Sequence, residues 1–329
     1  MTTFNDTGVP SDLGLVDKRI GFYVTPDFSP VGLFCAVEVL RTANRFMNTY
    51  SYGWEVCSPA GGMVASVNGI PIMTTNSADA HSRADKMIIC SGFNPEEHCD
   101  ANTLSWVRNL SRRGKQIGAI STGTYILAAA GVIGGRNCTI HIDNAASLRE
   151  NFPTINLLDS VFEVDRGLLT CAGGTSAIDM MIHMVSTEHG ENFASDLAHQ
   201  FQQDRVRNSQ DYQSKFKNAV INAKAPRLAR AIEFMSDNLD LPLPVNQLAD
   251  KIGISPRQLQ RQFRKHTGRG PKEFYLNLRL HHGRLLLLQT QMPVVDVAVA
   301  SGFLSHAHFT KLYRQEFGYP PKLERQHAF

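Results

Sequence analysis

The chain has 329 residues, of which 43% are hydrophobic. A single core stops growing at roughly 250 to 300 residues, so two domains are expected. No apolar run nears the ~20 residues that span a bilayer, and the opening MTTFNDTGVPSDLG lacks a basic stretch followed by an apolar one, so a cytoplasmic protein is expected.

The net charge of +3 conceals a split: residues 224–329 carry 16 Lys plus Arg against 8 Asp plus Glu, a net +8, which leaves −5 for residues 1–223. The C-terminal third is the part suited to a polyanion. All six cysteines (35, 57, 90, 99, 138, 171) precede it, without metal-binding spacing, and are expected as reduced thiols in a core. No cofactor or metal is implied.

After a polar leader over residues 1–17, RIGFYVTPDFS predicts a buried strand (Ile20 to Val24), and VGLFCAVEVLRTAN a helix with Leu33, Val37 and Leu40 on its apolar side. A second strand follows near YGWEVCS, then an isolated hairpin around the Asn68-Gly69 turn. ADKMIICSG predicts a third buried strand, and ANTLSWVRNLSRRG a helix ending at Gly114. GAISTGTYILAAAG predicts strand, tight turn and helix, with Ser121 at the apex as in a nucleophile elbow. CTIHID and LLTCAGG predict later strands, His141 and Asp143 sharing one face of the first, and TSAIDMMIHMVSTEHG an amphipathic helix. Strands alternating with helices predict an α/β doubly wound, flavodoxin-like sheet covered on both faces.

Beyond about Asn192 the strand signal stops. A polar segment leads to an all-α region, with a linker expected over residues 205–225 between a domain at 18–204 and one at 226–329. The latter repeats at an offset of 49: Pro244-Val245, Leu248-Ala249 and Gly253 recur as Pro293-Val294, Val297-Ala298 and Gly302. Each copy predicts a short helix, a turn at Gly and a second helix opened by Ser255-Pro256 or by Ser305, which is helix-turn-helix chemistry in duplicate. Leu259 and Phe263 in one copy, and Phe309 and Leu312 in the other, are expected to face inward. Outward, the first copy offers Arg257, Gln258, Gln260, Arg261, Arg264 and Lys265, and the second Ser305, His306, His308, Thr310, Lys311 and Arg314. Arg and Gln read guanine and adenine edges bidentately, and further cations meet phosphates. His306 and His308 lie two apart on a helix and do not face each other, so no metal is expected there.

Residues 226–323, GFLSHAHFTKLYRQEFGYPP included, resemble the DNA-binding domain of AraC/XylS-family transcription regulators. The resemblance implies DNA contacts at Arg257, Gln260, Arg261, His306, His308, Thr310 and Lys311, and the helix with Arg279 resembles the family's inter-motif helix; Arg264, Arg279 and Ser305 are expected among the DNA contacts beside them. It also implies double-stranded promoter DNA and RNA polymerase as partners, and activation of a catabolic operon. Residues 19 to about 190, through IGFYVTPDFS, the elbow and His141 in TIHID, resemble the DJ-1/PfpI branch of the class I glutamine amidotransferase-like fold. The pair of domains resembles the subfamily of AraC regulators whose described members respond to small nitrogenous metabolites such as glycine betaine, carnitine, sarcosine or arginine. A homodimer and a small-molecule effector are implied.

Catalytic relatives of the elbow carry a Cys with a carboxylate from the first helix beside it. Here the apex is Ser121, the corresponding region reads Pro30-Val31-Gly32, and Glu38 lies about two turns further on. An alcohol without an aligned base is a far poorer nucleophile than a thiolate, so no catalytic residue is assigned and a receptor pocket is expected. Its candidate lining is Phe28, Ser121, Thr122, Gly123, Tyr125, His141 and Asp143, with Tyr23 as a further aromatic wall. The backbone N–H groups of Ser121 and Thr122 would seat a carboxylate, and the rings an alkylated amine. Coupling to DNA is expected through the helix at 175–190 and the polar linker. The competing expectations are a hydrolase or glyoxalase activity at Ser121 and a domain that serves dimerisation only.

Overall fold

A computed structural model describes residues 9, 16–76, 84–203, 207, 211, 213 and 226–324. The chain divides into two units, Met1–Gln213 and Ser214–Phe329. Most of the leader lies outside the described residues, but Val16 is already buried, so packing begins before the first strand.

The first unit is built on one sheet. Its strands are β1 (Lys18–Val24), β2 (Tyr52–Ser58), β3 (Gly62–Ala65), β4 (Pro71–Asn76), β5 (Lys86–Ser91), β6 (Gln116–Ser121), β9 (Phe162–Asp165) and β10 (Leu168–Cys171); β7 (Asn137–Cys138) and β8 (Asn156–Leu157) form a separate short pair. The spatial order is β3-β4-β2-β1-β5-β6-β10-β9. The interior strands run parallel, and the two ends, β3 on β4 and β9 on β10, are antiparallel. Strands buried on both faces read as apolar runs, which is why FYV of β1 and IIC of β5 are buried outright. One face is covered by α1 (Pro30–Met47), α5 (Ser176–His189) and α6 (Glu191–Gln200); the core there includes Leu33, Leu40, Met181 and Leu197. The other face lies under α2 (Ala101–Arg112) and α3 (Gly123–Ala129), with Val107, Ile126 and Leu127 inward; α4 (Ala145–Asn151) follows β7. The chain winds outward from β1 to β2 and returns to β5. The strand order therefore reverses beside β1, where α/β sheets hold their ligands at the C-terminal strand ends.

Two expected elements differ. The hairpin is not isolated: β4 pairs with β2 at Cys57↔Thr75 and Ser58↔Asn76, which draws β3 onto the sheet edge. The expected strand CTIHID is a strand only at Asn137–Cys138. Thr139 then turns its hydrogen-bonding groups to other elements, its N–H to Thr170, its hydroxyl to the Ser160 carbonyl and its carbonyl to the Thr124 hydroxyl.

The second unit comprises α7 (Pro226–Ser236), α8 (Val245–Lys251), α9 (Pro256–Thr267), α10 (Pro271–Gln289), α11 (Val294–Ala300) and α12 (His306–Phe317). The repeat is structural as well as sequential. Pro244 and Pro293 precede α8 and α11 in the same extended conformation, and Gly253 and Gly302 form the turns at φ 67° and 75°. At Gly302 the fold tolerates nothing larger, because a Cβ would come within 2.3 Å of the Leu239 carbonyl oxygen. The long helix α10 packs on α9 and on both helices of the second copy.

Candidate functional site

In the second unit, local chemistry fixes where α9 and α12 begin. Ser255 Oγ accepts from the Gln258 N–H at 3.2 Å while Gln258 Oε1 accepts from the Ser255 N–H at 3.0 Å, a complete capping box. Gln258 is thereby engaged at the helix start. Ser305 Oγ caps α12 by accepting from the His308 N–H at 3.4 Å. With the starts fixed, 3.6-residue periodicity turns Leu259 and Phe263 of α9 fully inward. In α12 the inward pair is Phe309 and Tyr313; Leu312, expected inside, is only half-buried. Four residues separate the members of each pair, whereas Leu312 sits about a third of a turn off that line.

The opposite faces are cationic. Arg257, Arg261, Arg264 and Lys265 of α9, and Lys311 and Arg314 of α12, are exposed, and none of their side chains makes a hydrogen bond or ion pair among the described residues. Gln260 is half-buried beside Gly270 and Thr310 half-buried beside His306, while His306 and His308 are exposed. Shallow grooves run along both faces, one past Gln260, Arg264 and Lys272, the other past His306, Thr310, Lys311 and Arg314.

Arg279, expected among the DNA contacts, is placed otherwise. Its Nε donates to the Ser301 carbonyl at 2.9 Å and its Nη2 to the Gly302 carbonyl at 2.6 Å, and the guanidinium lies over the Phe303 ring at 4.2 Å. Its planar fork closes the turn of the second copy onto α10. Two of its guanidinium nitrogens are thus engaged within the unit.

In the first unit, β6 ends at Ser121, whose φ of 59° is rare for a residue with a side chain. That sharp turn into α3 is the elbow geometry. Ser91 of β5 pairs in register with Ser121, and Ser91 Oγ lies 2.9 Å from Thr25 Oγ1 at the end of β1, so the elbow stands beside the reversal in strand order. Ser121 is 6% exposed. Its hydroxyl has no hydrogen-bond partner among the described residues.

The elbow is closed from behind. A Cβ at Gly173 would stand 2.7 Å from Ser121 Cβ, so the turn before α5 is pressed against the apex. Burial pushes the Cys171 thiol up to about 11, and the Ser176 hydroxyl donates to the Gly173 carbonyl at 2.7 Å. The Thr122 hydroxyl donates to the Gly92 carbonyl, and Gly123 is buried at the start of α3.

In the Pro30-Val31-Gly32 region, a Cβ at Gly32 would come within 2.5 Å of Ile120 Cγ2. Glu38 faces outward and pairs with Arg41 at 2.8 Å. His141 caps a short 3-10 turn rather than lying on a strand; its Nδ1 accepts from the Asp143 N–H at 3.4 Å, and among the described residues no hydrogen bond joins it to Ser121. Both His141 and Asp143 stand in partly exposed positions. All six cysteines are free thiols, Cys35 and Cys99 half-buried and the others buried.

The aromatic walls are core residues. Phe28 is 0% exposed and bridges Ser66 and Gly92. Tyr23 lies against Trp106 with ring centroids 4.6 Å apart, and its Oη is 3.3 Å from Thr103 Oγ1. Tyr125 packs edge-on to Phe152 at 5.2 Å, and burial pushes its phenol up to about 12. None of the three presents an open face to a ligand.

Sequence reasoning missed a set of residues beyond α6. Arg207, Asp211 and Gln213, inside the expected linker, are tied to the first unit. The Asp211 carbonyl accepts from the Val161 N–H, the Gln213 N–H donates to the Asp159 carbonyl, and Gln213 Nε2 reaches the Ile140 carbonyl at 2.7 Å. Arg207 reaches Asp179 of α5. The rest of the expected linker lies outside the described residues.

Residues 248–327 match a helix-turn-helix domain model, and residues 18–187 match the DJ-1/PfpI family. The chain is 34% identical over 326 residues to the HTH-type transcriptional regulator GbdR of Pseudomonas aeruginosa, covering 99% of this chain and 88% of that one. It is 35% identical over 304 residues to the HTH-type transcriptional regulator CdhR of the same species, covering 92% and 90%. Among solved structures, an AraC family transcriptional regulator from Pseudomonas putida is similar to the chain with a TM-score of 0.51 and 26% identity, over 56% of this chain and 99% of that one.

Proposed function

Because the chain belongs to the HTH-type transcriptional regulators that join a DJ-1/PfpI domain to an AraC-type helix-turn-helix domain, we propose that its elbow domain is a non-catalytic receptor for a small nitrogenous metabolite. The protein is a DNA-binding transcriptional regulator. One observation supports the assignment of its DNA contacts more than any other. Two helices related by the 49-residue repeat, α9 and α12, hold their apolar pairs inward and keep unengaged cations outward. Arg257, Gln260, Arg261 and Arg264 in one copy, and His306, His308, Thr310 and Lys311 in the other, would meet bases and phosphates; Ser305 would cap its helix beside them. Two such units in one chain suit successive major grooves about 34 Å apart.

The receptor reading rests on what the elbow has and lacks. It keeps the strained turn at the strand ends, yet carries an alcohol where a thiolate would be, a glycine where the carboxylate would come from, and a histidine turned to Asp143. Ser121, His141 and Asp143 remain the ligand candidates. The protein would act in the cytoplasm as a homodimer, activating a catabolic operon through RNA polymerase when the metabolite favours one arrangement of its domains.

The test is a thermal-shift screen of the full-length protein against amino acids, betaines, carnitine and polyamines, repeated with Ser121→Ala. A specific hit, stabilising by mass action, weakened by the substitution and unaltered chemically on incubation, supports the receptor. Turnover that Ser121→Ala abolishes would replace it with an enzyme.

A further inference from the structure

Asp179 lies in the first turn of α5 and is 0% exposed. Its carboxylate accepts three hydrogen bonds, all from Arg207: the backbone N–H at 2.9 Å onto Oδ1, and Nε at 3.1 Å and Nη2 at 2.7 Å onto Oδ2. Arg207 Nη2 also donates to Thr175 Oγ1 at 3.1 Å. A buried carboxylate requires a cation with donors in place. Here that cation comes from the stretch after α6, and its own side chain is 34% exposed.

This pair adjoins the elbow. Thr175 follows the Gly173 turn that presses on Ser121. Cys171 of β10 feels the Asp179 charge, and so does Cys35 of α1, whose thiol is raised by burial first and by Asp179 next. Two further residues are tied to the same unit: the Asp211 carbonyl accepts from the Val161 N–H, and Gln213 Nε2 donates to the Thr139 hydroxyl and to the Ile140 and Ser160 carbonyls.

A guanidinium on a carboxylate inside a receptor is what a bound ligand would look like, except that this one belongs to the chain. We propose that Asp179 and Thr175 form the cation subsite of the sensing domain, held in this state by Arg207 as an internal occupant, and that a metabolite bearing a guanidinium or primary ammonium group displaces it. Displacement releases Arg207 from α5, so occupancy of the subsite and loss of this anchor after α6 are one event. The three acceptor contacts require N–H donors, so the subsite selects guanidinium and primary ammonium over quaternary ammonium. This inference rests on the receptor reading and names its ligand class.

The linkage sets the expected numbers. A ligand that binds only the Arg207-out state has its apparent affinity reduced by the fraction of molecules in that state, and removing the competitor restores it. Titration calorimetry on the full-length protein would use L-arginine, agmatine and, for comparison, choline. The expected result is binding of arginine or agmatine but not choline, about tenfold tighter in Arg207→Ala and at least about tenfold weaker in Asp179→Asn. Hydrogen exchange at residues 207–213 would quicken on binding in the wild type. Should Asp179→Asn fail to fold, Arg207→Ala carries the test, because its side chain reaches the surface. A metabolite that binds wild type and Arg207→Ala equally, with no change in exchange at 207–213, overturns the inference; if Ser121→Ala weakens that same metabolite, the receptor reading stands without it. Absence of any binder, in these titrations and in the wider screen, overturns both.

Discussion

The elbow and the recognition helices direct their polar groups in opposite ways. At the elbow the Thr122 hydroxyl points to the Gly92 carbonyl and the Thr124 hydroxyl to the Thr139 carbonyl. On α9 and α12 the inward positions are apolar and the cations project outward. The difference is one of assembly: the elbow forms where β6, the turn before α5 and the segment through Thr139 converge, while each recognition helix is specified by its own cap and period. A surface built within one helix keeps its side chains for a partner. A site built at a convergence uses most of its groups to hold the convergence together, and the Ser121 hydroxyl is left without a hydrogen-bond partner among the described residues.

This comparison can be broken from the inside first. Phe309→Ala removes a fully buried ring from the second unit and is expected to cost about 3–5 kcal/mol, read by urea denaturation as loss of that unit with the first intact. A single transition shared by both units would contradict their separation. Next, Arg261→Ala should leave stability within about 0.5 kcal/mol while weakening operator binding by about 1–3 kcal/mol in a gel-shift titration. Equal losses in both readouts would make it a structural residue.

The elbow gives the converse case. Ser121→Gly relieves a left-handed backbone and is expected to stabilise the first unit by about 1–2 kcal/mol, at the expense of metabolite affinity. Stabilisation with affinity unchanged would remove the hydroxyl from recognition.

The smallest effect lies at the far end of the sheet. Burial would raise the Glu188 carboxyl, but Lys18 at 2.6 Å and the Tyr52 hydroxyl at 2.5 Å outweigh it and hold it below the ordinary 4.5. A depressed carboxylate contributes stability above its unfolded value and loses it as the pH falls through the folded one. For this half-exposed pair the contribution is no more than about 1 kcal/mol, so the first unit should soften slightly below pH 4.5, and Glu188→Gln should flatten that dependence in thermal melts.

Legibility in the sequence followed the same division. Ser255 and Ser305, the prolines before α8 and α11, and the glycines between them announced the helix-turn-helix pair, because caps and turns act over three or four residues. The strand, turn and helix around Ser121 were legible for the same reason. Phe28, Tyr23 and Tyr125 were not: residue type says that a ring will be buried, but only packing says whether it faces a void or Trp106, Phe152 and the Gly92 segment. CTIHID read as a strand because its pattern fits one, yet Thr170, Ser160 and Gln213 take the groups of Thr139 that a ladder would need. Arg279 read as a DNA contact by position and is held by two carbonyls 22 and 23 residues away. Arg207 and Asp179, 28 residues apart, carry no local signal that would pair them.

The measurement that bears most directly on the account is selection of genomic DNA fragments by the purified full-length protein, followed by gel-shift titration of the recovered site across a range of salt, with Arg261→Ala and Lys311→Ala beside the wild type. The account predicts enrichment of a site with two contacted segments about one helical turn apart, affinity that falls steeply with salt, and a shallower salt slope in each variant that loses a phosphate contact. Recovery of no fragment above background, or binding indifferent to salt and to both substitutions, would contradict it.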